Sequence, residues 1–167
     1  MACPQPLQDI ATLMLESGMR PKEIYKLTRR RVNLLRGCVQ VSEGKTESSN
    51  RLVWLTDKAI NIVKHRMDAL KGEYLFPMGN VDGAGPYYSL NAVHRKARTD
   101  AKLPEFRLYD CRHTFATRAV EDGMDLVTLA AILGHASLHQ LQRYAHPSED
   151  HKRTAIRGMD KSAKAIG

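Results

Sequence analysis

The sequence predicts a mainly α fold with a small antiparallel β-sheet, an α+β class. Three observations carry this reading. Apolar residues recur at spacings of three and four along most of the chain, only a few short stretches are rich in β-formers, and strands and helices do not alternate as in doubly wound folds. With 167 residues, 43% hydrophobic and 26% charged, and with 11 glycines and 7 prolines, the chain has the size of one compact domain and the composition of a folded one. Neither a disulfide-held miniprotein nor a multidomain machine fits.

Leu7, Ile10, Ala11 and Met14 mark one face of a first helix, and Gly18 stops it. Pro21 suits the first turn of a second, short helix carrying Glu23, Ile24 and Leu27, so Arg20 sits at a turn between two helices. Cys38–Val41 and Leu52–Leu55 are β-prone, and the polar stretch Ser42–Arg51 between them makes a hairpin with Lys45 near its turn. Thr56 or Asp57 caps a helix carrying Ala59, Ile60, Val63, Met67 and Leu70, closed by Gly72. Tyr74–Phe76 reads as a short strand that completes the sheet. Pro77, Gly79, Gly83, Gly85 and Pro86 make 77–88 the one long loop, after which Ser89 caps a basic helix with His94, Arg95, Lys96 and Arg98. Helices then follow quickly: about Tyr109–Asp122 with Gly123 as its stop, from an Asp125 cap to Gly134, from Ser137, and after Ser148.

Lysine and arginine number 26 against 18 aspartate and glutamate, a formal charge of +8, which favours a polyanionic partner, nucleic acid first. Cys3, Cys38 and Cys111 are odd in number and lack a CxxC pair, so neither a disulfide framework nor a cysteine zinc site is indicated, and a reducing, cytoplasmic interior is the simplest home. No apolar run is long enough for a membrane span, and the start lacks a signal pattern.

Three familiar motifs fail. Gly44-Lys45-Thr46 resembles the end of a phosphate-binding loop, but Val39 stands where that loop needs glycine. Gly83-Ala84-Gly85 lacks the third glycine of a dinucleotide fingerprint. His135 and His139 are spaced as helical metal ligands can be, but no carboxylate or cysteine completes the set. Neither a metal nor a nucleotide or other cofactor is expected.

A different set of pieces does carry chemistry. Arg112-His113-Thr114-Phe115-Ala116-Thr117, then Leu133-Gly134-His135, then Tyr144 nine residues on, are preceded by Ser17-Gly18-Met19-Arg20-Pro21-Lys22-Glu23 and by Gly44-Lys45-Thr46 in the hairpin. In this order, over residues 16–146, they resemble the tyrosine recombinase family of phage-type integrases and Xer-like recombinases. The resemblance implies that family's catalytic-domain fold. It implies Arg20 and Arg112 as the phosphate-binding arginines, Lys45 as the lysine that reaches the leaving group, His135 as the late histidine and Tyr144 as the nucleophile. Glu23 is implied to buttress the site, and His113 to support it rather than react. Tyr109 stands where the family commonly has histidine, and a phenol with a pKa of about 10 is a poor proton acceptor near neutrality. Tyr109 and Arg112 are three apart in a helix and share a face, so Tyr109 can still donate a hydrogen bond to a phosphate that Arg112 holds.

These residue types suit the chemistry. A DNA phosphodiester gains charge on its equatorial oxygens during attack, and without a metal the site needs planar cations that make paired N–H contacts. A phosphotyrosine link retains the energy needed to rejoin the strand. The nucleophile needs a proton acceptor or a strongly cationic pocket, and the departing 5′ oxygen needs a proton donor, for which Lys45 is the candidate.

The expected organisation is a catalytic domain over 1–147, lacking an N-terminal DNA-binding domain that the family carries, and a basic tail helix over 148–167 that docks on a neighbouring protomer. The expected partner is double-stranded DNA, with self-assembly upon it. A type IB topoisomerase-like relaxing enzyme and a non-catalytic DNA-binding module are the competing readings. Arg29-Arg30-Arg31 and the Arg95–Arg98 cluster read as solvated faces.

Overall fold

The computed structural model describes residues 3–42, 50–87, 89–135, 137–144, 149, 152–153 and 156–157. The first helix, α1 (Leu7–Ser17), buries Leu7, Ile10, Leu13 and Met14 and ends at Gly18, whose φ of 66° is left-handed. Helix α2 (Pro21–Tyr25) starts with proline at its first position and Arg20 as its extended N-cap, where the missing N–H costs nothing. A single 3₁₀ turn, Arg29–Arg31, leads into β1 (Val32–Asn33).

Strands β2 (Cys38–Ser42) and β3 (Asn50–Trp54) pair antiparallel with Val41 opposite Arg51. The expected hairpin is therefore present, while Lys45 at its turn lies outside the described residues. The third strand differs from expectation. It is β1, paired antiparallel to β2 in the order β1-β2-β3, whereas Tyr74 makes only an isolated bridge to Thr28. Gly37, at φ 65°, lets the chain reverse tightly enough for two residues to pair. Val39, Val41 and Val53 turn their side chains into the core.

Helix α3 (Asp57–Ala69) is capped by the Thr56 hydroxyl, which accepts from the Ala59 N–H. The basic helix α4 (Asn91–Asp100) follows the long loop, α5 (Asp110–Glu121) follows Tyr109, and α6 (Leu126–Leu133) is capped by the Asp125 carboxylate and ends at Gly134, φ 65°. The segment expected to be a helix from Ser137 is a 3₁₀ run, Leu138–Tyr144. Of the expected tail helix, only 149, 152–153 and 156–157 are described, all helical.

Two apolar clusters hold the fold. The larger joins α1, α2, the sheet and α3 around Ile10, Leu13, Met14, Ile24, Val39 and Phe76. The smaller gathers Ala116, Leu129, Leu133 and Leu141, with Phe115 and Tyr144 packed on it. Arg29 is not the solvated residue expected, since it donates to the carbonyls of Gly72 and Met67.

Gly18 stands where α1 meets the smaller cluster. A Cβ there would lie 2.6 Å from Phe115 Cδ1 and 2.7 Å from Leu133 Cδ2. Gly18→Ala combines a left-handed backbone with overpacking and is expected to destabilise by about 2–4 kcal/mol. Chemical denaturation of the purified chain measures this directly.

Candidate active site

The end of α6 organises the site. The last carbonyls of a helix have no intrahelical partner and carry its negative dipole end, so they suit cationic donors. Here three consecutive carbonyls each receive a different arginine. Arg51 Nε donates to Ile132 O at 2.7 Å, Arg112 Nη2 to Leu133 O at 2.7 Å, and Arg20 Nη2 to Gly134 O at 2.9 Å. The guanidinium groups of Arg20 and Arg112, 92 positions apart in sequence, are thus set on neighbouring carbonyls. Turn geometry places Arg20, because Gly18 ends α1 and Pro21 starts α2 with only one residue between Gly18 and Arg20.

Arg112 is 2% exposed on α5. It also donates from Nη1 to Gly18 O at 2.5 Å, and its Nη2 lies 3.0 Å from His135 Nε2. Burial, and then the charge of Arg20, pull its pKa down to about 10, so it remains a cation at neutral pH. Arg20 keeps 28% of its side chain exposed.

Glu23, fully buried at its side chain, joins two of the arginines. Its Oε2 accepts from the Arg20 backbone N–H at 2.7 Å and its Oε1 from Arg20 Nη1 at 2.9 Å. Arg51 approaches the same carboxylate with two parallel bonds, at 2.7 and 3.0 Å. Burial alone would raise the Glu23 pKa, but the hydrogen bonds and charges of Arg51 and Arg20 outweigh it and hold the group below its ordinary value. Arg51 escaped the sequence reading. It lies in a polar stretch with no motif around it, and its partners are 28 and 81 positions away.

Two tyrosines flank His113. Tyr144, half-buried, sets its hydroxyl 2.6 Å from His113 Nδ1. His113 therefore meets the phenol directly. Tyr109, one helical turn before His113, packs edge-on against that imidazole with ring centroids 5.7 Å apart and is 39% exposed.

The sequence profile of the phage integrase family matches residues 4–151. The chain belongs to that family. It is 24% identical over 168 residues to the integrase of Salmonella phage P22, covering 95% of this chain and 43% of that integrase. It is 32% identical over 152 residues to the tyrosine recombinase XerC of Pelobacter propionicus, covering 86% of this chain and 49% of that one. This family member thus spans less than half the length of either relative. Its fold is that of the Tn1549 transposon integrase solved with circular intermediate DNA, at a TM-score of 0.75 and 21% identity over 93% of this chain and 59% of that one. It is also that of the catalytic domain of bacteriophage HP1 integrase, at a TM-score of 0.62 and 24% identity over 89% and 79% of the two chains.

Beside the arginine pair, this phage integrase family chain opens a groove of ≈ 770 Å³. Arg20, Lys22, Arg95, Arg98, Arg107 and Tyr109 are among its walls, with no carboxylate among the described residues that line it. Arg95, exposed as expected of a solvated face, and Arg98, half-buried, both border the space next to Arg20. No group of three or more metal-ligating side chains occurs among the described residues. The Cys111 thiol is buried, which pushes its pKa up to about 11, so it is not a nucleophile at neutral pH. No helix of the described residues is long and apolar enough to cross a membrane.

Proposed function

We propose that residues 1–147 form the catalytic domain of a site-specific DNA recombinase that cuts and rejoins DNA through a 3′-phosphotyrosyl intermediate. The observation that carries this reading is the placement of Arg20 and Arg112 on the adjacent carbonyls of Gly134 and Leu133. That arrangement gives a single phosphate two planar groups that are cations at neutral pH.

Arg20 and Arg112 hold the scissile phosphate and stabilise the charge that grows on it, with His135, bonded to Arg112, completing the cradle. Tyr144 Oη attacks phosphorus. The new O–P bond forms as the bond to the 5′ oxygen breaks. The phenolic proton passes to His113 Nδ1, which already lies at hydrogen-bond distance. The 5′ oxygen takes a proton from Lys45, the role that the family resemblance gives to the lysine of Gly44-Lys45-Thr46. Tyr109 lends a hydrogen bond at the mouth of the site. Each transfer runs backwards when a different 5′ hydroxyl attacks the phosphotyrosine, so the strand is resealed without ATP. His113 thereby takes the proton-accepting role that Tyr109 is chemically unsuited to fill.

The basic groove next to Arg20 supports double-stranded DNA as the partner, its cations running along the backbone phosphates. The basic tail, 148–167, docks on a neighbouring protomer once the protein is assembled on DNA. The chain works in the cytoplasm, associated with the nucleoid when bound. Incubating it with a pool of nicked duplexes of randomised sequence, with chelator and no nucleotide, is expected to give a detergent-stable protein–DNA adduct. Peptide mapping should place the 3′-phosphate on Tyr144. An adduct on another residue, or one that needs a divalent metal, rejects this reading.

A further inference from the structure

Glu23 poses a physical problem for the site just described. A buried carboxylate bonded to Arg20 tends to claim that guanidinium as its own counter-ion and so withdraw its charge from an incoming anion. Arg51 answers this. It reaches Glu23 with two bonds at 2.7 and 3.0 Å while only 8% of its side chain is exposed, too deep to serve a surface role. An ionised carboxylate has about four acceptor sites. Here all four are used, two by Arg51 and two by the backbone and side chain of Arg20.

We propose that Arg51 is a positioning residue for the phosphate site: by serving as the counter-ion of Glu23, it leaves the charge of Arg20 available to the DNA phosphate. This deepens, and rests on, the recombinase reading above. Arg51 does not touch the phosphate. It acts through Glu23 and is held in turn by Ile132 O, the carbonyl before the two that carry Arg112 and Arg20. Three guanidinium groups against one carboxylate leave this cluster two net positive charges. Because Arg51 pairs with Val41 across the hairpin, the same contact also fixes the base of the segment that carries Lys45.

A charge effect and a scaffold role of Arg51 predict different orders of variants. Arg51→Met leaves the cluster one net positive charge, Glu23→Gln leaves three, and the double variant restores two. Inorganic phosphate titrated into the DNA-free chain, followed by NMR of the arginine side chains, reads anion affinity without any recombination step. The expected order is Arg51→Met weakest, wild type and the double variant similar, and Glu23→Gln tightest, each step being about 10-fold as one charge a few ångströms from an anion implies. A double variant as weak as Arg51→Met, or Glu23→Gln no tighter than wild type, overturns the proposal. The second comparison holds even where Arg51→Met alone does not fold. In single-turnover adduct formation on the nicked pool, the double variant is expected to recover most of the rate that Arg51→Met loses. Failure of the recombinase reading is distinct from this, since it removes the wild-type adduct while leaving the phosphate order intact.

Discussion

Arg112→Met is expected to lower the rate of adduct formation by about 10²–10³, the effect of removing one oriented donor from a growing anion. The same change strips donors from two buried carbonyls, Gly18 O and Leu133 O. Each orphaned group costs about 1–3 kcal/mol, and at this chain length each kcal/mol lowers Tm by about 2–4 °C. Thermal unfolding and single-turnover kinetics therefore fall together. Arg112→Lys divides the two effects. It keeps a charge and can serve a carbonyl, so stability should return in part, but an ammonium cannot bridge Gly18 O, Leu133 O and a phosphate at once, and the rate should stay low. A lysine variant with the wild-type rate would show that charge alone suffices at this position.

His113→Ala should slow adduct formation at neutral pH by about 10²–10⁴, the range for loss of a placed proton acceptor. The pH profile is the sharper measurement. With His113 present, the rate should level off with rising pH once the imidazole is neutral and free to accept the phenolic proton. Without it, the rate should keep climbing into the alkaline range, as the phenol itself must lose its proton to solvent. Groups that face the imidazole among the described residues include two phenols and a carboxylate. Tyr144 Oη is 2.6 Å away, Tyr109 lies edge-on, and the carboxylate of Asp110 is close enough to interact with its charge. Burial alone would raise the Asp110 pKa, but hydrogen bonds and charge from Arg107, then the charge of His113, outweigh it and hold that carboxyl low, so an anion stands by to balance the imidazolium that forms. A duplex with sulfur in place of the departing 5′ oxygen leaves without a proton, and the His113→Ala defect should persist on it. Full rescue by that substrate would move His113 to the leaving-group side.

Much of this molecule was legible in its sequence because its punctuation is local. Thr56, Asp125, Gly18 and Gly134 each act on backbone groups within a few residues, and so the helix ends they govern lie within a residue or two of expectation, whereas the helix expected from Ser137 is a 3₁₀ run. The ordered motifs single out Arg20, Glu23, Arg112, His135 and Tyr144 as candidates, and the structure brings Arg20, Glu23, Arg112 and His135 together at the end of α6. What stayed hidden is tertiary. Strand β1 has two residues, too few for any periodicity. Arg51 became visible only where the sheet meets α2 and the end of α6. The contact of His113 with Tyr144 depends on a 3₁₀ path through Leu138–Tyr144, which rises further per residue than the α-helix expected there and delivers the phenol elsewhere.

The cations of this site are seated on main-chain oxygens at Ile132, Leu133 and Gly134, not on side chains. Exchange of the side chain at 132 or 133 for another apolar one therefore spares the seats themselves. Adding or deleting one residue within α6 does not, because it swings the helix terminus by about 100° and carries all three oxygens away together. Drift in this stretch is tolerated in composition and forbidden in length.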